Sequence, residues 1–389
     1  MKPDCIMNKT IGVLALAASL AAGGCTQKHT ITVENPSDLA ADGEMAQVPL
    51  QDVLAKVGDR FVITDADGAE VPYQVTYDSL VIFPVTADAA SEVVYTLSAG
   101  EPAPVDTLVW GRKFPERKDD MVWENDRSAY RAYGPALQAS GERAFGYDIW
   151  TKSVPTRVLE ERFANDIQHG ISFHVDHGNG MDVYAVGPTL GGGTAALLDS
   201  LGNIVYPYCW DTYEVLDNGP LRFTVRLDYK PLTVDGDTAV VESRLITLDR
   251  GAWLNRTEVT YRGLTHEARV APGIVVHRQH PDGYTLNREA GYMAYADSTE
   301  NAANGNGVIY VGVVAPQSDA FEYSALTEPA GDAIGHILAP APYADGTPYI
   351  YYWGSGWSKG GVAREQEWNA ILDAAARRVA APLKARVDR

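Results

Sequence analysis

Reactive side chains are densest in the run HVDHGNGMDVY, which carries His174, Asp176, His177, Asp182 and Tyr184. Imidazoles exchange protons near neutrality, carboxylates orient them and a phenol donates a proton, so these residue types can form an acid–base centre. Read as a strand, ISFHVD puts His174 and Asp176 on one face, because side chains alternate. His177 then opens the Gly-Asn-Gly turn, and Asp182 and Tyr184 share a face of the returning strand. The expectation is a hairpin end that gathers two imidazoles, two carboxylates and a phenol at a loop, where function concentrates. His174, Asp176 and His177 are also divalent-metal ligand types, for zinc through imidazole or for calcium through Asp and carbonyl oxygens. No His-x-x-x-His or cysteine spacing backs a metal site, and a polar turn with satisfied histidines is the plain alternative.

A second concentration is WGRKFPERKDDMVWENDRSAYRAYGP, from Trp110 to Pro135. Here Arg112, Lys113, Arg117, Lys118, Arg127 and Arg131 face five acidic residues in a chain of net charge −19. The guanidinium fork suits a carboxylate or sulfate, and Trp123, Tyr130 and Tyr133 offer faces on which sugar rings stack. A solvated salt-bridge surface is the alternative. In YDIWTK, alternation points Asp148, Trp150 and Lys152 the same way. His277 and His280 form a weaker pair, and Trp210 is a further aromatic candidate for sugar contact. Two glycine-rich segments mimic known motifs. Gly356-Trp357-Ser358-Lys359-Gly360 has the nucleophile-elbow spacing without a parallel α/β sheet around it. GPTLGGGT lacks the Lys-Ser/Thr ending of a phosphate loop.

These segments must be positioned by β structure. The chain has 389 residues, 46% hydrophobic and 21% charged, with 21 Tyr, 36 Gly and 22 Pro. That composition suits strands and turns over helical bundles or disorder. HTITVEN, RFVITD, VPYQVTY, SLVIFPV and EVVYTLSA predict a small β-sandwich over residues 29–105, closed by the linker AGEPAPVDT. From 106 to 389 the period-2 pattern runs through LRFTVRLDY, AVVESRLITL, LNRTEVTYRG, RVAPGIVVH, GVIYVGVVA and PYIYYW, which predicts a large antiparallel sandwich. One helix is expected after Arg364, with Trp368, Ile371, Leu372 and Ala375 on its apolar face and Pro382 ending it.

The apolar run Ile11–Gly24 is too short to span a bilayer and ends at Cys25, the pattern of a lipoprotein signal over residues 1–25 with Cys25 acylated. Cys5 falls in that leader, so Cys209 alone remains, read as buried packing. The expected address is the periplasm or the outer membrane. Membrane contact is through the lipid only, since the excess of 51 acidic over 32 basic residues repels nucleic acid and anionic surfaces.

The segments PERKDDMVWENDRSAYRAYGP, YDIWTK, HVDHGNGMDVYAVGPTLGGG and YYWGSGWSKGG, in that order, resemble domain of unknown function 4861, a family of exported Bacteroidota proteins from polysaccharide-utilisation gene clusters. The resemblance runs from about Val105 to the end. It implies a galactose-mutarotase-like or polysaccharide-lyase-like sandwich behind a small β domain, and lyase or dehydratase elimination on uronic-acid oligosaccharides. Phe173 stands where family members often have Tyr. Elimination needs a neutralised carboxylate, a base and an acid. Under that expectation Asn125, Arg127 and Arg131 hold the carboxylate, His174 or His177 is the base, Tyr184 or Tyr130 the acid, and Asp176 or Asp182 orients a histidine. Trp123, Asp148, Trp150, Lys152, Trp210 and His277 complete the substrate contacts. The alternatives are a glycoside hydrolase using paired carboxylates among Glu124, Asp148, Asp176 and Asp182, a mutarotase-like epimerase, and a non-catalytic sugar-binding lipoprotein.

Overall fold

Period-2 patterning becomes strands wherever one face has a core to meet. In Asp237–Asp249, every second side chain from Val240 to Leu248 is buried. The computed structural model describes residues 29–388. The expected leader over 1–25 and its Cys25 lie outside the described residues.

The protein is all-β, in antiparallel sandwiches with a C-terminal helix. Two sheets form the smaller unit. One contains His29–Asn35, Phe61–Thr64, Glu70–Val71 and Ser91–Ala99, and takes its edge strand, Lys384–Val387, from the far end of the chain. The other pairs Ala41–Pro49, Leu80–Ala87 and Gln74–Val75. Helix α1 (Leu50–Val57) was not foreseen; it turns Val53 into this core. The smaller unit is thus built from both ends of the sequence, and the last strand departs from the unit that the pattern assigned to 106–389.

In the larger unit a nine-stranded and a six-stranded sheet share one core that includes Val259, Ile274, Val275, Val311 and Trp353. A four-stranded sheet of Trp110–Phe114, Asp120–Glu124, Ala129–Ala132 and Asp148–Trp150 closes one side. Alternation splits it cleanly. Trp123, Tyr130, Tyr147 and Ile149 enter the main core, whereas Val122, Ala129 and Trp150 face a separate cluster with Leu159, Phe163 and Phe173. Leu159 and Phe163 belong to α3 (Leu159–His169), which follows the short α2 (Pro135–Ala139); neither was expected.

The terminal helix α4 spans Glu365–Ala380 and lays Trp368 and Leu372 on the outer face of the nine-stranded sheet, against Tyr292, Ala294 and Tyr310. Burying two such side chains stabilises by about 1.5–3 kcal/mol each. Helix and sheet approach closely at Gly312, where a Cβ would stand 2.6 Å from the Leu372 methyls and displace them.

Candidate functional site

The four-stranded sheet organises the site. Arg131 lies directly across from Asp148, and Asp120 sits diagonally on the next strand, so all three point to the same face. The loop after α3 brings Asp182 to the same place through a bridge to Trp150. Arg131 Nη2 is 2.5 Å from Asp148 Oδ2 and 3.2 Å from Asp182 Oδ2, while Nη1 is 3.7 Å from Asp120 Oδ2. Nη2 also donates to the Tyr133 hydroxyl at 3.3 Å. All four charged groups are buried.

One guanidinium cannot balance three buried carboxylates, so protons must do so. Burial raises Asp120 to about 6, with Arg131 pulling the other way. Burial also raises Asp148 against the pull of Arg131, and holds Asp182 well above the carboxylate range with the Asp148 charge adding to it. Burial likewise keeps the Tyr133 phenol well above its ordinary value, against the opposing Arg131 charge. Burial therefore biases all three carboxyls toward their protonated forms. Asp120 Oδ1 and Arg131 Nε have no hydrogen-bond partner.

A cavity of about 350 Å³ opens on this cluster, lined by Arg117, Lys118, Asp120, Arg131, Tyr133, Glu142 and Arg143 among others. Four cationic side chains meet two carboxyls there, against the sign of the whole chain. Lys118 pairs with Glu142, but Arg117 and Arg143 have no carboxylate partner among the described residues and rest over the Phe173 and Phe145 rings. His174 follows Phe173, and its Nδ1 is 2.8 Å from the Asp182 carbonyl. A carbonyl only accepts, so Nδ1 carries a proton, and Nε2 is the ring nitrogen left out of that contact. The imidazole is half exposed.

The hairpin expected over ISFHVD and MDVYAVG is not formed; residues 171–183 are turns with one isolated bridge at Asp182. Arg162 of α3 replaces the ladder, donating to the carbonyls of Thr151 (2.9 Å) and Asn179 (2.5 Å). Its burial brings its own pKa down to about 10. Gly180 (φ +103°) passes so close that a Cβ would meet the Thr151 carbonyl at 2.2 Å. Within this loop Asp176 Oδ1 accepts from the amides of Gly178 and Gly180, and His177 Nε2 faces the Ser172 carbonyl. Asp176 is thereby a turn former. The set His174, Asp176 and His177 is not assembled for zinc or calcium, and among the described residues no group of three or more His, Cys, Asp or Glu is placed to hold a metal ion.

Other expected contacts are structural. Trp123 donates to Asn255 in the core, and the Tyr130 hydroxyl faces the Trp253 carbonyl and the Ser355 amide. Asn125 holds its own turn and the Asp249 and Ala252 carbonyls. Arg127 sits over Trp253, away from Arg131. Lys152 is buried on Glu124 (2.7 Å), which also accepts the Val158 and Leu159 amides at the start of α3. Trp150 donates to Asp148 and stacks on Phe163, and Trp210 donates to the Ala132 carbonyl. Tyr184 and His277 are buried beside each other, His277 bound to Asp297 at 2.7 Å. Cys209 is buried, its thiol pushed up to about 12 by burial. Ser358 Oγ accepts the Val308 amide, so the elbow-like spacing is a turn.

The structure thus unites Arg131, Asp148, Asp182 and His174 with Arg117, Lys118 and Tyr133 of the basic segment, and adds Asp120 and Arg143. Asp120 reaches the site because it lies two positions before Val122, which pairs with Arg131, a register that only the structure shows. Arg143, beyond α2, carried no signal in the sequence.

Residues 33–385 match the family described as "Domain of unknown function (DUF4861)". An "Uncharacterized protein P7" of Formosa agariphila is 27% identical over 317 residues, which cover 75% of this chain and 78% of that protein. Among solved structures, a protein in the Glycosyl Hydrolase Family 38 from Enterococcus faecalis is similar with TM-score 0.46 and 8% identity, covering 93% of this chain and 47% of that one. An alpha-mannosidase from the same species gives TM-score 0.48 and 9% identity, covering 93% and 46%. The chain spans about half the length of these two structures.

Proposed function

The chain belongs to the DUF4861 family, and from that premise we propose that it is a carbohydrate-active enzyme eliminating across uronic-acid residues of acidic oligosaccharides, as a lyase or a dehydratase. The observation that carries the reading is the cationic cavity beside proton-holding groups: Arg117 and Arg143 unpaired by carboxylates among the described residues, Tyr133 protonated, and His174 with Nε2 open.

Each requirement of the reaction has a group to meet it. Arg117 and Arg143, with Lys118 beside them, neutralise the substrate carboxylate, which makes the C5 proton acidic. Arg131 is already shared by three carboxyls, so it serves as the anchor of the cluster and not as the carboxylate clamp. His174 Nε2 takes the C5 proton, the C4–O bond breaks as C4=C5 forms, and the Tyr133 phenol protonates the departing oxygen. If that oxygen belongs to a sugar the reaction is a lyase cleavage; if it is a hydroxyl, water is lost. Export and a lipid on Cys25 would bring the enzyme to such fragments in the periplasm or at the outer membrane.

The test is incubation with a panel of uronate-terminated oligosaccharides, followed by ultraviolet absorbance and mass spectrometry. A conjugated product is expected, with loss of water or cleavage without gain of water, and His174→Ala abolishes it. Cleavage with gain of water, or full activity of His174→Ala, refutes the assignment.

A further inference from the structure

A second cavity, of about 640 Å³, lies between the two sandwiches and shares no lining residue with the first. It falls within the range of about 300–1,000 Å³ usual for ligand sites. Its floor is the outer face of the nine-stranded sheet, in the part that α4 leaves uncovered, where Thr247, Leu254, Arg256 and Tyr352 point away from the core. Ile371 and Ala375 of α4 form one wall and Met45 and Tyr77 of the small sandwich the other.

The walls are fastened to each other and to the floor. The Gln74 side chain accepts the Leu221 and Arg222 amides at 2.9 Å each and donates to the Arg222 carbonyl at 3.2 Å. Arg378 of α4 pairs with Glu44 and donates to the Ala40 carbonyl, and Arg377 pairs with Asp38. A trough held from three sides is preorganised, so a ligand meets little ordering cost.

Its chemistry differs from that of the first cavity. Four guanidinium groups face five carboxylates, and three of the guanidiniums are paired, Arg222 with Asp249, Arg256 with Glu258 and Arg378 with Glu44. The lining therefore gives no net attraction to a polyanion, yet offers donors and acceptors side by side, as hydroxyls require. Trp253 and Tyr352 are half-buried, the Arg127 guanidinium stands 5.1 Å from the Trp253 ring, and Trp368 packs nearly perpendicular to that ring at 6.1 Å. Such rings supply apolar planes with polar surroundings, which suits the C–H face and the hydroxyl edge of a pyranose. We infer that this trough is a second, non-catalytic binding site for a neutral oligosaccharide. The inference goes beyond the proposed elimination and does not depend on it.

Cellohexaose, xylohexaose and mannohexaose are titrated into the full chain, with tryptophan emission and calorimetry as readouts. At least one is expected to bind, with affinity at least tenfold weaker in Trp253→Ala and in Arg256→Ala, and unchanged in Arg117→Ala and His174→Ala. Any turnover of acidic substrate stays at the parental rate in Trp253→Ala, which keeps failure of this site distinct from failure of the first. The inference is overturned if none of the three binds at about 10 mM, weaker than the ordinary range of specific affinity, or if both trough variants bind as the parent does.

Discussion

Replacing Asp120 by Asn keeps the shape of the side chain and removes its titration. Burial raises this carboxyl from 3.8 to about 6, so the folded protein keeps the proton in a range where the unfolded chain has released it. At about 1.4 kcal/mol per pH unit, that difference amounts to about 3 kcal/mol of linkage. Because the folded value is the higher one, the contribution is fully present below the unfolded pKa and is lost as pH rises through about 6. Roughly 2 of those 3 kcal/mol fall between about pH 4.5 and 7.5. Urea unfolding of both proteins across that window measures it, and subtracting the two curves cancels the other carboxyls to first order. Stability of Asp120→Asn relative to the parent should rise by about 2 kcal/mol from the acid to the alkaline end. A difference that stays flat with pH refutes the assignment of this proton to the folded cluster, and with it the claim that three carboxyls around Arg131 are balanced by protons.

Four further outcomes follow from the same contacts. Arg131→Met leaves Asp148 and Asp182 buried without their cation; unfolding measurements should show a loss of about 3–5 kcal/mol at pH 8 that shrinks by pH 5, where the carboxyls protonate. Lys152→Met strands the buried Glu124 at a similar cost of about 3–5 kcal/mol, and adding Glu124→Gln should recover much of it in denaturant melts. Leu372→Ala undermines the contact of α4 with the sheet by about 2–5 kcal/mol, read from the same melts. For turnover, Arg117→Ala and Arg143→Ala should each raise KM for an acidic oligosaccharide about tenfold with a smaller change in kcat, the sign of lost ground-state binding, measured by initial rates.

Strand after strand was legible because each presents one face to a core, and a two-residue period can come from no other regular element. The terminal helix was legible for the same reason at its own period, down to Trp368 and Leu372 as its buried pair. The basic segment Trp110–Pro135 also stood out, since local positive charge in a chain of −19 is visible without a fold. The reading failed where backbone groups found partners outside the ladder. ISFHVD has strand alternation, yet its Ile171 amide goes to the Asn165 carbonyl of α3 and its Val175 amide to the Ser172 carbonyl, so the segment turns, and the chain beyond it delivers Asp182 to Arg131.

Choosing which residues of a reactive segment face the cavity depended on which face of the paired strands Asp120–Glu124 and Ala129–Ala132 turns to the core. Trp123 and Tyr130 carry the right chemistry but face the main core, while Asp120 and Arg131, on the opposite face of the same two strands, reach the cavity. Composition and period thus determined that the chain is a β protein with a charged segment out of keeping with the rest. Tertiary structure alone decided that one guanidinium would meet three carboxyls, because a pKa and a cavity are properties of what surrounds a side chain, and those surroundings are assembled from residues up to dozens of positions apart.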